Sequence, residues 1–187
     1  MSAAQMVELR DTFVDAMRVE TRELADQLGA GEITLQQWEG RMRSQLKTTY
    51  IDEYVLGRGG RNAMTPANWG EVGGLLGNQY RYLHRFAEEV AAGTLSTAQI
   101  GARAELYVES GSQAYERGRC ASFGLPRLSQ YPGDGWTACG TNCRCSLDIK
   151  ELESEWQVTW KLGIADHCED CERLSGEWTP LVIPKSA

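Results

Sequence analysis

Ala30-Gly31-Glu32-Ile33-Thr34-Leu35-Gln36-Gln37-Trp38-Glu39-Gly40-Arg41 ends one helix and starts the next. Gly29 and Gly31 stop what precedes them, because glycine accepts the left-handed conformation that closes a helix. Thr34 followed by Gln37 is a capping box, in which hydroxyl and amide satisfy each other's orphan backbone N–H groups. Leu35, Trp38, Met42 and Leu46 then fall on one helical face. The same pattern recurs at Ala92-Gly93-Thr94-Leu95-Ser96-Thr97-Ala98-Gln99-Ile100-Gly101-Ala102-Arg103. Two helix starts with shared capping chemistry account for the echo, and so does a duplicated helical hairpin.

Outward from these two starts the first 120 residues read as α. Met6, Leu9, Phe13, Met17, Leu24 and Leu28 repeat at helical spacing. The second helix extends to about Leu56, where Gly57-Arg58-Gly59-Gly60 breaks it. Thr65-Pro66 is a cap with proline at the first helical position. It opens a third helix through Trp69, Val72, Leu76, Tyr80, Leu83 and Phe86. Gly70, Gly73, Gly74 and Gly77 cost that helix roughly 1 kcal/mol each in propensity, and three of them are spaced to admit a close neighbour. A fourth helix starts at Ser96 and runs through Tyr107 and Tyr115.

Past Gly118 the texture changes. Gly124, Pro126, Pro132, Gly133, Asp134 and Gly135 make a turn-rich stretch, after which apolar residues alternate. Cys145, Leu147 and Ile149 form one strand candidate, Trp156, Val158, Trp160 and Leu162 a second, and Trp178 to Ile183 a third. The expected fold is mainly α: an N-terminal bundle of about four helices (1–120), a linker (121–135), and a small Cys-rich β module (136–187). Three short strands bury too little apolar surface to stand alone.

Cysteines supply the staple. The spacing is Cys139-x3-Cys143-x-Cys145, an insert with strand character, then His167-Cys168-x2-Cys171. Two ligand pairs about two dozen residues apart suit one structural Zn2+ per chain, since zinc takes four soft ligands tetrahedrally. The ligands come from Cys168 and Cys171 plus two of Cys139, Cys143 and Cys145. His167 is an awkward substitute beside Cys168. Disulfides are a competing reading. A redox Cys168–Cys171 pair is a third, opposed by the acidic Glu169 and Asp170 between them.

Composition narrows the function. The chain has 187 residues, 42% hydrophobic and 24% charged, with a net charge of −7. That rejects disorder and a nucleic-acid polycation. Residues 41–85 carry 7 basic and 3 acidic side chains, whereas 134–187 carry 5 and 10. An acidic module beside a mildly basic middle points to a protein partner and disfavours direct nucleic-acid binding. No apolar run reaches the roughly 18 residues of a membrane span, and Met1–Phe13 has no apolar signal core. With only His84 and His167 there is little material for a nucleophile–base system. Gly57-Arg58-Gly59-Gly60-Arg61 lacks the ending of a phosphate loop. No catalytic site is found, and the expectation is a non-enzyme.

Gly133-Asp134-Gly135-Trp136-Thr137-Ala138-Cys139-Gly140-Thr141-Asn142-Cys143-Arg144-Cys145, with Trp160-Lys161-Leu162 and His167-Cys168-Glu169-Asp170-Cys171, resembles phage head-morphogenesis proteins. These are the minor capsid proteins of the Mu F-like and SPP1-like group. Cys168 and Cys171 match that group's Cys-x-x-Cys, and Cys143 and Cys145 its Asn-Cys-Arg-Cys. The two elements stand in reverse order here, with Gly140 and Cys139 where the group has a His. The resemblance implies a minor head component near the portal, in several copies or as a homo-oligomer, touching portal or major capsid protein. It would reside in the virion, and in host cytoplasm during assembly. A zinc-ribbon adaptor or nucleic-acid-binding regulator, and a zinc- or thiol-dependent enzyme, are the alternatives from other classes.

Overall fold

The computed structural model describes residues 3–164 and 166–185. The outermost residues of the two end segments (1–2 and 186–187) and residue 165 lie outside the described residues. The protein is mainly α, with a small antiparallel sheet near its C-terminus. Five helices come first: α1 (Ala3–Gly29), α2 (Leu35–Arg58), α3 (Pro66–Ala91), α4 (Thr97–Glu109) and α5 (Ser112–Ser122). After a long turn-rich stretch come β1 (Ser146–Glu151), β2 (Glu155–Lys161), α6 (Glu169–Glu177) and β3 (Leu181–Pro184).

Each capping box forms. Thr34 Oγ1 accepts the Gln37 N–H at 3.2 Å while Gln37 Oε1 accepts the Thr34 N–H at 2.9 Å. Ser96 and Gln99 do the same at 3.3 and 2.9 Å. A third box joins Thr65 and Asn68 at the start of α3. The helical core gathers Trp38, Met42, Leu46, Tyr50 and Tyr54 of α2 with Val72, Leu83 and Phe86 of α3 and Ile100, Ala104 and Tyr107 of α4. Trp38 meets Phe86 edge-on with ring centroids 5.4 Å apart, and Phe86 stacks on Tyr107.

Two features differ from the sequence reading. The fourth helix is two, α4 and α5, separated at Ser110-Gly111. Ser110 Oγ turns back to donate to the Tyr107 carbonyl, and a Cβ at Gly111 would strike Thr49 of α2. The break lets α5 run against α2 while α4 packs on α1. The close helix approach also lies elsewhere. Gly70, Gly73, Gly74 and Gly77 are exposed, and a Cβ on any of them would meet nothing within 4 Å. Instead Gly57 of α2 and Gly118 of α5 cross reciprocally. A Cβ at Gly57 would fall on the Tyr115 carbonyl, and one at Gly118 on the Tyr54 carbonyl. Gly57 therefore belongs to the helix, and the chain breaks at Gly59 and Gly60, whose φ angles are 91° and 117°.

The sheet runs in the order β1-β2-β3. Its register pairs Leu147 with Trp160 and Ile149 with Val158, which puts all four on one buried face. Leu174 of α6, Trp178, and Leu125, Leu128 and Tyr131 from the preceding stretch close over that face. The module reaches the bundle through polar contacts. Arg119 Nη1 donates to the Leu147 carbonyl at 2.7 Å, Trp156 Nε1 to the Phe123 carbonyl at 3.0 Å, and Arg144 Nη1 to Glu109 Oε2 at 2.6 Å. Glu109 also accepts from Arg18 of α1, so one carboxylate ties two helices to the module.

Candidate metal centre

Three local structures carry the cysteines to one place. The first is a braced loop: Asp134 accepts the Tyr131 N–H at 2.7 Å and the Trp136 N–H at 3.0 Å. It leads into a 3-10 turn (Gly140–Asn142) that Cys139 immediately precedes. The second is the extended Cys143-Arg144-Cys145 entering β1. The third is the start of α6, where Cys168 stands at the N-cap with φ −80° and ψ 156°, and Cys171 lies three residues on. Asp170 Oδ2 accepts the Ala138 N–H at 2.9 Å and holds the first of these against the third.

The Sγ atoms of Cys139, Cys143 and Cys171 lie within 4.8 Å of one another. Cys139 Sγ to Cys171 Sγ is 3.6 Å, and Cys143 Sγ to Cys171 Sγ is 3.7 Å. Four thiolates at 2.3 Å from a tetrahedral cation stand about 3.8 Å apart, so these two spacings already match the edges of such a site. A disulfide needs sulfurs at about 2.05 Å, and all six cysteines are free. Burial enforces the arrangement: Cys171 is 1% exposed and Cys143 6%.

The other two predicted ligands flank this trio. Cys145 interacts with Cys143 and Cys171, and Cys168 with Cys139 and Cys171. The protons are unevenly shared. The hydrogen bond that Cys143 donates to Cys145, together with burial, pushes the Cys143 thiol far up. Cys171 is raised by burial, then by its bonds to Cys139 and Cys168. Cys145 is pulled down to about 5, first by that bond from Cys143, against burial, and further by the Gly163 N–H and the Trp160 indole. Among the described residues Trp160 Nε1 has no other partner. At Cys168 burial raises the pKa, but the backbone N–H groups of Cys171 and Cys139 outweigh it and the net direction is down. The donors around Cys145 and Cys168 thus favour their thiolates, whereas hydrogen bonding and burial favour the thiol at Cys143 and Cys171, whose protons metal binding would displace.

Of the five cysteines named from the sequence, the structure brings Cys139, Cys143 and Cys171 into one compact group with Cys145 and Cys168 in contact with it, and the supports of that group were not foreseen. The sequence reading assigned no helix to Cys168-Glu169-Asp170-Cys171, yet Cys168 stands at the N-cap position of α6. The short polar run Glu169–Glu177 hid a helix whose apolar face rests on Cys171 and Leu174 alone. Gly163 was also missed: a Cβ there would fall on the Arg144 backbone, so only glycine brings its N–H to Cys145. Its position just after a strand and before the second cysteine pair was the available signal.

Other singled-out residues stand apart. Cys120 is buried, and burial pushes its thiol up to about 12. His84 is exposed beside Glu39 and Glu88. Arg61 lies over the Trp69 ring and Arg58 Nε reaches Asn68, so the glycine-rich turn's cations are engaged locally. Comparison with protein-family models, with curated proteins and with solved structures gives no match.

Proposed function

We propose that the chain is a structural assembly component whose C-terminal module is held together by one zinc ion on cysteine thiolates. The observation that carries this is the enclosed sulfur trio at tetrahedral spacing. A buried, all-sulfur site suits a coordinatively closed ion that stabilises folding, as opposed to one that keeps a position open for substrate. Thiolate softness and the absence of any required redox change favour zinc among divalent ions.

The assembly role draws on the surface. Trp136 is 75% exposed, and the Asp134 brace and two left-handed glycines (Gly133 and Gly135) fix the loop that presents it. It shares a groove with Tyr82, Leu106 and Leu75, between α3, α4 and the loop. An exposed, preorganised aromatic beside further apolar side chains is the composition of a protein contact. Together with the resemblance of the cysteine segments, this supports a minor component of a phage head, bound to portal or major capsid protein.

The experiment is fractionation of particles from a producing lysate, with the chain quantified in precursor, head, tail and free fractions. Stoichiometric recovery in heads or precursors is expected. Recovery only as free protein would overturn the phage-head reading. Metal analysis of purified, reduced protein is expected to give about one zinc per chain. Metal-free protein whose stability does not respond to chelator would overturn the zinc reading.

A further inference from the structure

Five sulfurs surround a position that a tetrahedral ion fills with four. Cys171 is the hub, interacting with each of the other four. Cys139 and Cys143 complete the compact trio. Cys145 and Cys168 make parallel sets of contacts to this trio. Each touches Cys171 and one further member of the trio, Cys143 for Cys145 and Cys139 for Cys168. Each also has its own N–H donors: Gly163 and Trp160 for Cys145, and Cys171 and Cys139 for Cys168. Neither belongs to the group of three whose sulfurs all lie within 4.8 Å of one another, so either must move inward to close the tetrahedron.

We propose that Cys139, Cys143 and Cys171 are permanent ligands and that Cys145 and Cys168 are alternative fourth ligands of one ion. The inference rests on the reading of the cluster as a metal site. In the exchange, the bond from the metal to the departing sulfur breaks as the bond to the incoming sulfur forms. The incoming sulfur enters as the thiolate that its N–H donors favour and the departing sulfur leaves as a thiolate onto its own donors, so charge and oxidation state are unchanged. The N–H donors at each flank hold the waiting sulfur in place. Access differs between the flanks. Cys145 lines the cleft between α1, α5 and β1, whereas Cys168 lies at the start of α6. The site therefore offers an incoming chelator or metal-accepting thiol two routes of attack, without first displacing any of the three permanent ligands.

The test uses full-length protein loaded anaerobically with Co2+, whose visible and charge-transfer bands report the number of thiolates. Wild type, C145S and C168S should each take about one ion with a four-thiolate spectrum, each single variant losing less than about tenfold in affinity. The double variant should shift to a three-thiolate spectrum and lose more than about a hundredfold, and C171S should lose the site altogether. A single variant that loses the four-thiolate spectrum while the other keeps it would overturn the proposal, as would two ions in wild type. Wild type that takes no Co2+ would instead overturn the metal reading itself. A second measurement avoids mutation. Brief alkylation of zinc-loaded wild type, mapped by mass spectrometry, should label Cys145 in some molecules and Cys168 in others, sparing the trio. Label confined to one of the two would also overturn the proposal.

Discussion

The bundle and the cysteine module solve the same problem with different materials. In α1 to α5 the backbone satisfies itself within each helix, capping boxes close the starts, and Trp38, Phe86, Tyr50 and Leu83 fill the interior at 0% exposure. In the module, four short elements share a core of Trp160, Trp178, Leu147, Leu174 and two buried sulfurs. Trp160 and Trp178 meet edge-on at 5.6 Å, which helps. Even so, an assembly of that size needs cross-linking to hold a unique structure. The bundle's stability is spread over many contacts, whereas a metal ion on the sulfur cluster would concentrate the module's at one point. Substitutions should therefore act in proportion in the first region and all at once in the second.

The largest effect is expected from Cys171→Ser. Removing the hub should drop metal content from about one ion per chain to near zero. Near-ultraviolet signals from the module's tryptophans should go with it, and far-ultraviolet helicity should mostly remain. If the bundle melts together with the module, the two regions are one cooperative unit and the contrast fails. Next comes Trp38→Ala. It should cost about 3–5 kcal/mol in chemical denaturation and leave zinc content unchanged.

A pair of glycine substitutions tests where the helices touch. Gly118→Ala should destabilise by about 1–3 kcal/mol, since its Cβ falls on the Tyr54 carbonyl. Gly74→Ala, in open space on α3, should stabilise by up to about 1 kcal/mol. Equal signs in thermal melts would show that the reciprocal crossing of α2 and α5 is wrong. Thr34→Ala removes one capping bond and should cost about 1 kcal/mol, read from the denaturant midpoint.

The smallest expected effect is a slope with pH. Glu53 is 1% exposed, and burial raises its pKa above the ordinary 4.5 despite its bond to Arg10, with Asp11 and Glu109 adding to the rise. The native state then holds a proton that the unfolded chain has released, so stability falls as pH climbs above the usual carboxylate range. Glu116 is raised in the same direction. Glu53→Gln should therefore reduce that decline without abolishing it, measured as urea midpoints from pH 4 upward. An unchanged slope would mean that Glu53 folds ionised.

Much of the bundle was legible in sequence because helix information is local. Thr34 and Gln37 are three residues apart whether the chain is folded or not, and Trp38, Met42 and Leu46 mark a face by spacing alone. The same locality explains the two misreadings. Nothing near Ser110 announces that α5 turns onto α2, and a glycine's sequence neighbours do not reveal which backbone will pass beside it. Gly57 and Gly118 are meaningful only as a pair, 61 positions apart in the chain.

For the candidate metal centre, the sequence alone supplied the candidate donors. Five cysteines in two groups, near a segment with strand periodicity, already defined soft ligands with the right reach. Only the tertiary structure decided their ranking: three sulfurs together, two on the flanks, Cys171 touching all of the others. That ranking depends on β1 bringing Cys143 beside α6, on Asp170 pinning the turn after Trp136, and on Gly163 admitting the Arg144 backbone. Residue type sets what an atom can bind and is written in the chain. Distance between atoms remote in sequence is set by packing, which no local pattern encodes.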